Sequence, residues 1–182
     1  MIIYVFIGVV ALVLFYVIGI YNSFIKLRNS VDESFSTMDV YMKKRYDLIP
    51  NLVETVKGYA KHEQETLEKV IQARNKAMAS DNINEKQANE NVLTGTLKSL
   101  FALSESYPEL KADSQFLDLQ KQLQKVEEDI ANARKYYNAV VKTFNTKVES
   151  FPSNIIAGIF NFEQYPFFII EASQRENIEV SF

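Results

Sequence analysis

The first 25 residues contain no charged side chain, and this feature constrains the fold more than any other. A helix of about 20 apolar residues is long enough to cross the hydrocarbon core of a bilayer. A cleaved signal peptide would carry a basic start, a shorter apolar run and small residues before the cleavage site, and none of these is present. A core helix that is apolar on every side would need a large protein around it. Residues 1–25 are therefore predicted to be an uncleaved transmembrane anchor.

Basic residues follow this apolar segment, and none precedes it. Lys26 and Arg28 come directly after it, and Lys43, Lys44 and Arg45 lie further along the chain. Lysine and arginine are retained on the cytoplasmic side of membrane proteins. We expect a single-pass protein of the inner (cytoplasmic) membrane with its N-terminus outside and its body in the cytoplasm.

The body is predicted to be helical because the chain has few turn-forming residues, only 5 Gly and 4 Pro. Apolar residues recur at steps of three and four along three stripes, with a turn expected near residues 80–84. The first stripe continues the anchor without a break, the second runs through residues 48–71, and the third stops at Tyr107, before Pro108. Within the second stripe, residues 45–63 are interpreted as an amphipathic helix that contains Pro50. The stripes are Phe24, Leu27, Val31, Phe35, Met38 and Met42; Leu48, Leu52, Val56, Tyr59, Leu67, Val70 and Ile71; and Ile83, Val92, Leu93, Thr96, Leu97, Leu100 and Leu103.

The longest regular pattern is a heptad seam between residues 116 and 144. It predicts a helix of about 35 residues, about 50 Å long, which needs antiparallel partners of similar length. The predicted fold is all-α: the anchor, an elongated antiparallel four-helix-type bundle over residues 26–151, and an aromatic, partly irregular tail over residues 152–182. The seam consists of Phe116, Leu119, Leu123, Val126, Ile130, Ala133, Tyr137, Val140 and Phe144.

The tail is rich in Phe and Ile but has no helical period. Apolar surface of this size needs a cover. Either the tail folds back over its own bundle, or it docks on a second copy or on the bilayer interface. Phe162 and Phe167 are its candidate partner-binding residues, and the stretch PFFIIEAS, residues 166–173, is a candidate short strand.

Three prolines are predicted to be structural joints: Pro50, Pro108 and Pro152. For Pro50, two alternatives remain open. Asp47 caps a new helix with Pro50 in its first turn, or the helix runs through and kinks at Pro50. The same segment offers a polar face that we expect to be presented to a partner. Its members are Arg45, Asp47, Asn51, Glu54, Lys57 and Glu63.

The residues give no sign of catalysis, so we expect no enzyme, no metal and no cofactor. The chain has no Cys, and its single histidine, His62, has no second histidine at metal-ligand spacing, so it is interpreted as a solvated helix residue. Glu127 and Glu128 are interpreted as a solvated face of the long helix. A net charge of −3 with interspersed basic residues does not favour nucleic-acid binding.

Several stretches resemble the bacterial LemA family in order and spacing: DLIPNLVETVKGYA, ESYPELKA, IANARKYYNAVV, SFPSNIIAGIF and the closing VSF. The resemblance covers the chain from about Tyr21 onward. It implies a membrane-anchored protein of four-helix type whose relatives are linked to membrane organisation. Glu128 and Asp129 stand where the family pattern has an Asn-Arg pair, and Asn161 stands where glycine is common.

The function expected from these features is a non-enzymatic, membrane-anchored scaffold or adaptor. It would self-associate, as a homo-oligomer, or bind other membrane proteins through its helices and tail. The alternative is a protein that organises or remodels the lipid bilayer directly.

Overall fold

The computed structural model describes residues 1–80 and 82–169, and in this part of the chain the regular structure is helical, without strands. The predicted all-α class is thus confirmed. The helices are α1 (Ile2–Tyr59), α2 (Gln64–Met78), α3 (Ile83–Ser104), α4 (Pro108–Ala112), α5 (Ser114–Glu149) and α6 (Ser153–Ile159).

The chain divides into two compact units. The first unit contains residues 1–37 and 135–167, and the second contains residues 38–134 and the chain from Phe168. Helices α1 and α5 each contribute residues to both units. The division into residues 1–25, 26–151 and 152–182 stays a prediction.

The beginning of α1 has the features expected of a membrane span. Among the described residues, α1 is the one helix long and apolar enough to cross a bilayer, and none of its most apolar 18-residue stretch is buried within the protein. Large apolar side chains from Ile2 to Ile18 are exposed. Such a surface is stable in lipid but costly in water.

Helix α1 is continuous through Pro50, so the alternative of a new helix starting at Asp47 is wrong. Proline has no N–H, which leaves the carbonyl oxygen four residues earlier, that of Tyr46, without its helical donor. Arg74 of α2 donates its Nε–H to this oxygen at 2.7 Å. Pro50 thus leaves the carbonyl oxygen of Tyr46 free to accept a hydrogen bond that joins α1 to α2.

The second apolar stripe, over residues 48–71, spans two helices. Helix α1 ends at Tyr59 and α2 begins at Gln64, with a turn between them. His62 lies exposed in this turn, not in a helix. Apolar periodicity continued across the turn because both helices bury residues such as Val56 and Leu67.

The other helix ends lie close to their predicted positions. The turn expected near residues 80–84 is confirmed, and Asn82 caps α3 by accepting a hydrogen bond from the backbone N–H of Glu85 at 2.9 Å. Pro108 is the first residue of α4, and Pro152 lies between α5 and α6. Helix α5 has 36 residues, as the heptad seam predicted. Of the seam residues only Val140 is not buried, and its neighbour Val141 is buried instead.

Helices α1 and α5 run in opposite directions in the second unit. Arg45 contacts Glu127, whereas Tyr59, further along α1, donates its hydroxyl to Asp113, which precedes α5, at 2.9 Å. Helices α2 and α3 pack together on either side of their short turn.

Candidate interaction surfaces

Arg45 was predicted to share an exposed polar face, but the structure places its side chain in the interior of the second unit. Both Arg45 and Glu90 have side chains that are 0% exposed, and they form an ion pair. Arg45 therefore takes no part in an accessible surface. Its position on α1 points inward because Ile49, four residues on, is buried on the same side.

Arg45 is the centre of a set of charged and polar side chains from three helices, which we call the buried ion cluster: Arg45, Tyr46, Glu90, Thr94, Glu127 and Arg134. The guanidinium of Arg45 donates through Nη2 to Glu90 and through Nη1 to Glu127 Oε1 at 2.6 Å and to Thr94 Oγ1 at 3.1 Å. The hydroxyl of Tyr46 donates to the other carboxylate oxygen of Glu90. Glu90 therefore joins two neighbouring residues of α1 to α3.

Glu127 corrects the interpretation of an acidic solvated face. Its side chain is 38% exposed and reaches inward to Arg45, whereas Glu128 stays exposed. The sequence held one usable signal: Glu127 and Arg134 are seven residues apart beside the heptad seam, which places them on one face of α5. Nothing in the sequence pairs that face with Glu90 on α3.

Burial and charge act in opposite directions on the two arginines. Burial lowers the pKa of Arg45, but the carboxylates of Glu127 and Glu90 outweigh it, and the net shift is upward. Burial and the positive charge of Arg45 lower the pKa of Arg134. For Tyr46, burial and then the charge of Glu90 raise the pKa of the phenol well above its ordinary value. The cluster thus holds Arg45 charged and Tyr46 neutral.

Arg134 is held less completely than Arg45. Its Nη2 lies 3.6 Å from Glu90 Oε2, and its Nε and Nη2 have no hydrogen-bond acceptor among the described residues. The guanidinium carbon lies 4.8 Å from the ring centroid of Phe168, a cation–π contact. Buried charges of this kind contribute little net stability compared with apolar side chains, but they penalise any packing that separates them. The cluster thus joins side chains of α1, α3 and α5.

Asp47, Asn51 and Glu54 do lie on an exposed ridge of α1, as the sequence predicted. We call these three residues the α1 ridge. Grooves flank the ridge on both sides within the second unit. One, of about 580 Å³, lies between α1 and α5 and is lined by Asp47 and Leu48 with Lys125 and Val126. The α1 ridge can therefore be reached by a partner.

The second groove lies between α1 and α2 and is larger, about 920 Å³. Its walls include the charged side chains of Glu54 and Lys57, and its floor includes the apolar side chains of Val53, Leu67 and Ile71. Glu54 thus lies at the rim of an apolar groove. A polar rim around an apolar floor is the arrangement found at protein interaction sites.

Phe162 and Phe167, the residues predicted in the tail, differ in accessibility. Phe162 is half-buried in the first unit, stacked on Phe24 with ring centroids 4.7 Å apart and in edge contact with Phe144. Phe167 is 42% exposed. Residues 166–169 have no regular structure, and the rest of the candidate strand PFFIIEAS lies outside the described residues. Phe162 therefore belongs to the interior of its unit, and Phe167 is the accessible residue.

The described residues contain no group of three His, Cys, Asp or Glu side chains that could hold a metal ion. A model of the LemA family matches residues 34–182. The chain belongs to the LemA family. Protein LemA of Metamycoplasma hominis is 26% identical over 179 residues, which cover 96% of this chain and 80% of that protein. The family match includes every residue of the buried ion cluster and of the α1 ridge.

Proposed function

We propose that this LemA-family chain is a non-enzymatic scaffold or adaptor held at the membrane by α1. The observation that carries the proposal is that one uninterrupted helix contains both the candidate membrane span and the exposed α1 ridge. A partner that binds the ridge is thereby held at the bilayer. Other membrane proteins and a second copy of this chain are the expected partners.

The two grooves support this proposal because each offers apolar floor beside charged rim along the same helix. Helical partners bind such grooves through apolar side chains at steps of three and four, while charges at the rim select the partner. The buried ion cluster contributes indirectly. By fixing α1 against α3 and α5, it keeps the walls of the groove between α1 and α5 in one register.

Photo-crosslinking in living cells tests the proposal. A photoreactive amino acid is placed at Asn51 or Glu54 on the ridge, and at Phe167 in the tail, because Phe162 is too buried to report on partners. Val92, which is 55% exposed on α3, provides the matched control position. Crosslinks to the same chain would identify a homo-oligomeric scaffold, and crosslinks to another membrane protein would identify an adaptor. Equal yields at the ridge and at Val92 would contradict the proposal.

The proposed orientation, with the body in the cytoplasm of a cell with an inner membrane, has an independent test. The chain has no Cys, so Glu54→Cys introduces a unique thiol. A maleimide that cannot cross membranes should label it only after the cells are opened. Labelling of intact cells to the same extent would reverse the orientation.

Direct remodelling of the bilayer is the second candidate function. It is favoured by the exposed apolar side chains near the end of the described chain, among them Phe151 and Ile159. Vesicles that contain the full-length protein at high density should then change shape when viewed by electron microscopy. Unchanged vesicles would argue against this function and leave the scaffold proposal intact.

A further inference from the structure

Helix α6 has apolar side chains on both its buried face and its exposed face. Ile156 and Ala157 are buried, whereas Ile155 is 53% exposed and Ile159 is 65% exposed. Phe151, just before the helix, is 81% exposed. A helix with apolar side chains on both faces is not at a minimum of free energy in water, and its outer face needs a second apolar medium.

The contacts of the first unit place α6 beside the end of the candidate span. The ring centroid of Phe160, which directly follows α6, lies 4.8 Å from that of Tyr21 on α1. Phe162 lies 5.8 Å from the same tyrosine ring and stacks on Phe24. Val17 and Ile20, which precede Tyr21 on α1, are half-buried, whereas Phe15 is 74% exposed and Ile18 is 53% exposed. The end of α6 therefore lies beside the end of the candidate span.

The charges around α6 match a position at the membrane surface. Between Glu149 and Glu163 the chain has no charged residue. Lys147, close to the end of α5, donates to Ser23 Oγ and lies over the ring of Phe24. An uncharged stretch of this length can enter the apolar edge of a bilayer without burying a charge.

The end of α6 explains how the chain returns to α1. Asn161 has a φ of 54°, in the left-handed region that ends helices, and the N–H of Phe162 bonds to the carbonyl of Ala157 at 2.9 Å. Glycine is common at this position in the family pattern. Asparagine and glycine both adopt the left-handed conformation readily. The turn brings Phe162 back onto Phe24, while the outer face of α6 stays exposed among the residues that the structure describes.

We propose that α6 lies in the interfacial layer of the same bilayer that α1 crosses, with Phe151, Ile155 and Ile159 inserted among the lipids. The chain would then be attached to the membrane at a second point, beside its anchor. The occupant of this apolar face is lipid, because the end of α6 packs beside the end of the candidate span and exposed aromatic and aliphatic side chains are typical of interfacial helices. This inference depends on the proposed anchor but can fail separately from it.

Tryptophan fluorescence provides the test, because the chain has no Trp and an introduced one is the only reporter. Full-length Ile155→Trp and Ile159→Trp variants are reconstituted into vesicles of phosphatidylcholine and phosphatidylglycerol. Brominated acyl chains in the lipid quench a tryptophan that lies in the membrane, and iodide quenches one that lies in water. We expect strong quenching by brominated lipid, protection from iodide, and emission shifted to shorter wavelength.

Two control variants make the outcomes distinct. Leu14→Trp lies within the candidate span, and Val92→Trp has nearly the same exposed fraction as Ile155 but belongs to the second unit. If Leu14→Trp is not quenched by brominated lipid, the anchor itself is wrong. If Leu14→Trp is quenched but both α6 variants are quenched by iodide like Val92→Trp, only the present inference is overturned. Protection of the α6 variants from both quenchers would also overturn it, since protein rather than lipid would then cover the helix.

Discussion

The two units of the protein bury different kinds of side chain. The second unit has two arginines, two glutamates and a tyrosine at the contact of α1, α3 and α5, whereas the first unit has the rings of Phe24, Phe144, Phe162 and Tyr165 at the contact of α1, α5 and the tail. Ion pairs require defined partners and directions, so they fix register. Aromatic rings accept stacked and edge contacts and so tolerate small shifts.

This difference suits the surroundings proposed for each unit. A unit that presents a binding ridge benefits from one fixed helix register. A unit beside the bilayer benefits from an apolar interior that does not depend on ion pairs. Helices α1 and α5 are thus held together by different chemistry in each unit.

The largest expected effect comes from removing the acid that connects the cluster. Glu90→Leu leaves Arg45 and Arg134 buried with a single neighbouring carboxylate, and we expect the second unit to lose about 3–5 kcal/mol of unfolding free energy. Hydrogen exchange read by mass spectrometry, peptide by peptide, would report this loss in residues 38–134 and little change in the aromatic contacts of the first unit.

Glu68→Leu, at an exposed position on α2, is the matched control and should have little effect. If Glu90→Leu proves as mild as the control, the buried cluster does not hold the second unit together. A combined Arg45→Met, Glu90→Met, Glu127→Met and Arg134→Met variant should recover part of the lost stability, because it removes the buried charges together.

The second expected effect tests the aromatic interior. Phe162→Ala removes the ring between Phe24 and Phe144 and should cost about 2–3 kcal/mol, less than a fully buried phenylalanine because Phe162 is half-buried. The change should appear in the exchange of peptides from residues 1–37 and 135–167. Phe151→Ala, at an 81% exposed position, should leave the exchange rates of the interior unchanged.

A smaller effect is expected at Asn161. Asn161→Gly should preserve or slightly raise stability, whereas Asn161→Ala should cost about 1–2 kcal/mol, because an alanine side chain is strained in the left-handed region. Thermal unfolding followed by circular dichroism would measure both variants. Equal midpoints for the two would show that the turn after α6 does not depend on the conformation of this residue.

The smallest expected effect concerns Tyr137 in the first unit and Tyr46 in the second, whose phenols are expected to ionise at different pH values. Tyr137 in the first unit donates to the carbonyl of Pro166 at 3.0 Å, and burial raises its pKa from 10.0 to about 12. The folded protein holds this proton more tightly than the unfolded chain does. The contribution of the Tyr137 phenol to the free energy of unfolding is therefore complete below pH 10 and is lost as the pH rises to about 12. Tyr137→Phe should cost about 0.5–1.5 kcal/mol at neutral pH and remove this part of the pH dependence.

Ultraviolet absorbance of the phenolate would follow this titration. Tyr46, which donates to Glu90, should ionise at higher pH than Tyr137, since burial and then the neighbouring carboxylate raise its pKa further. Simultaneous ionisation of Tyr46 and Tyr137 would remove the electrostatic difference between the two interiors.

Apolar spacing and helix-breaking residues were enough to predict the helical class and most helix ends, because these depend on neighbours along the chain. The 36-residue α5, the turn before Asn82 and the exposed positions of Asp47, Asn51 and Glu54 followed from such local rules. The break after Tyr59 did not, because no proline interrupts the stripe there and the residues on both sides face the same core.

The sequence by itself determined that this chain has an uncharged segment long enough for a membrane, a helical body and the motifs of the LemA family. Only the tertiary structure decided that Arg45 and Glu127 face the interior, that Pro50 remains inside a helix, and that the tail turns back at Asn161. The physical reason is that an ion pair, or a donor such as Arg74 for the carbonyl left free by Pro50, joins residues far apart in the chain. The spacing of residues along one helix carries no information about which side chain the neighbouring helix places opposite it.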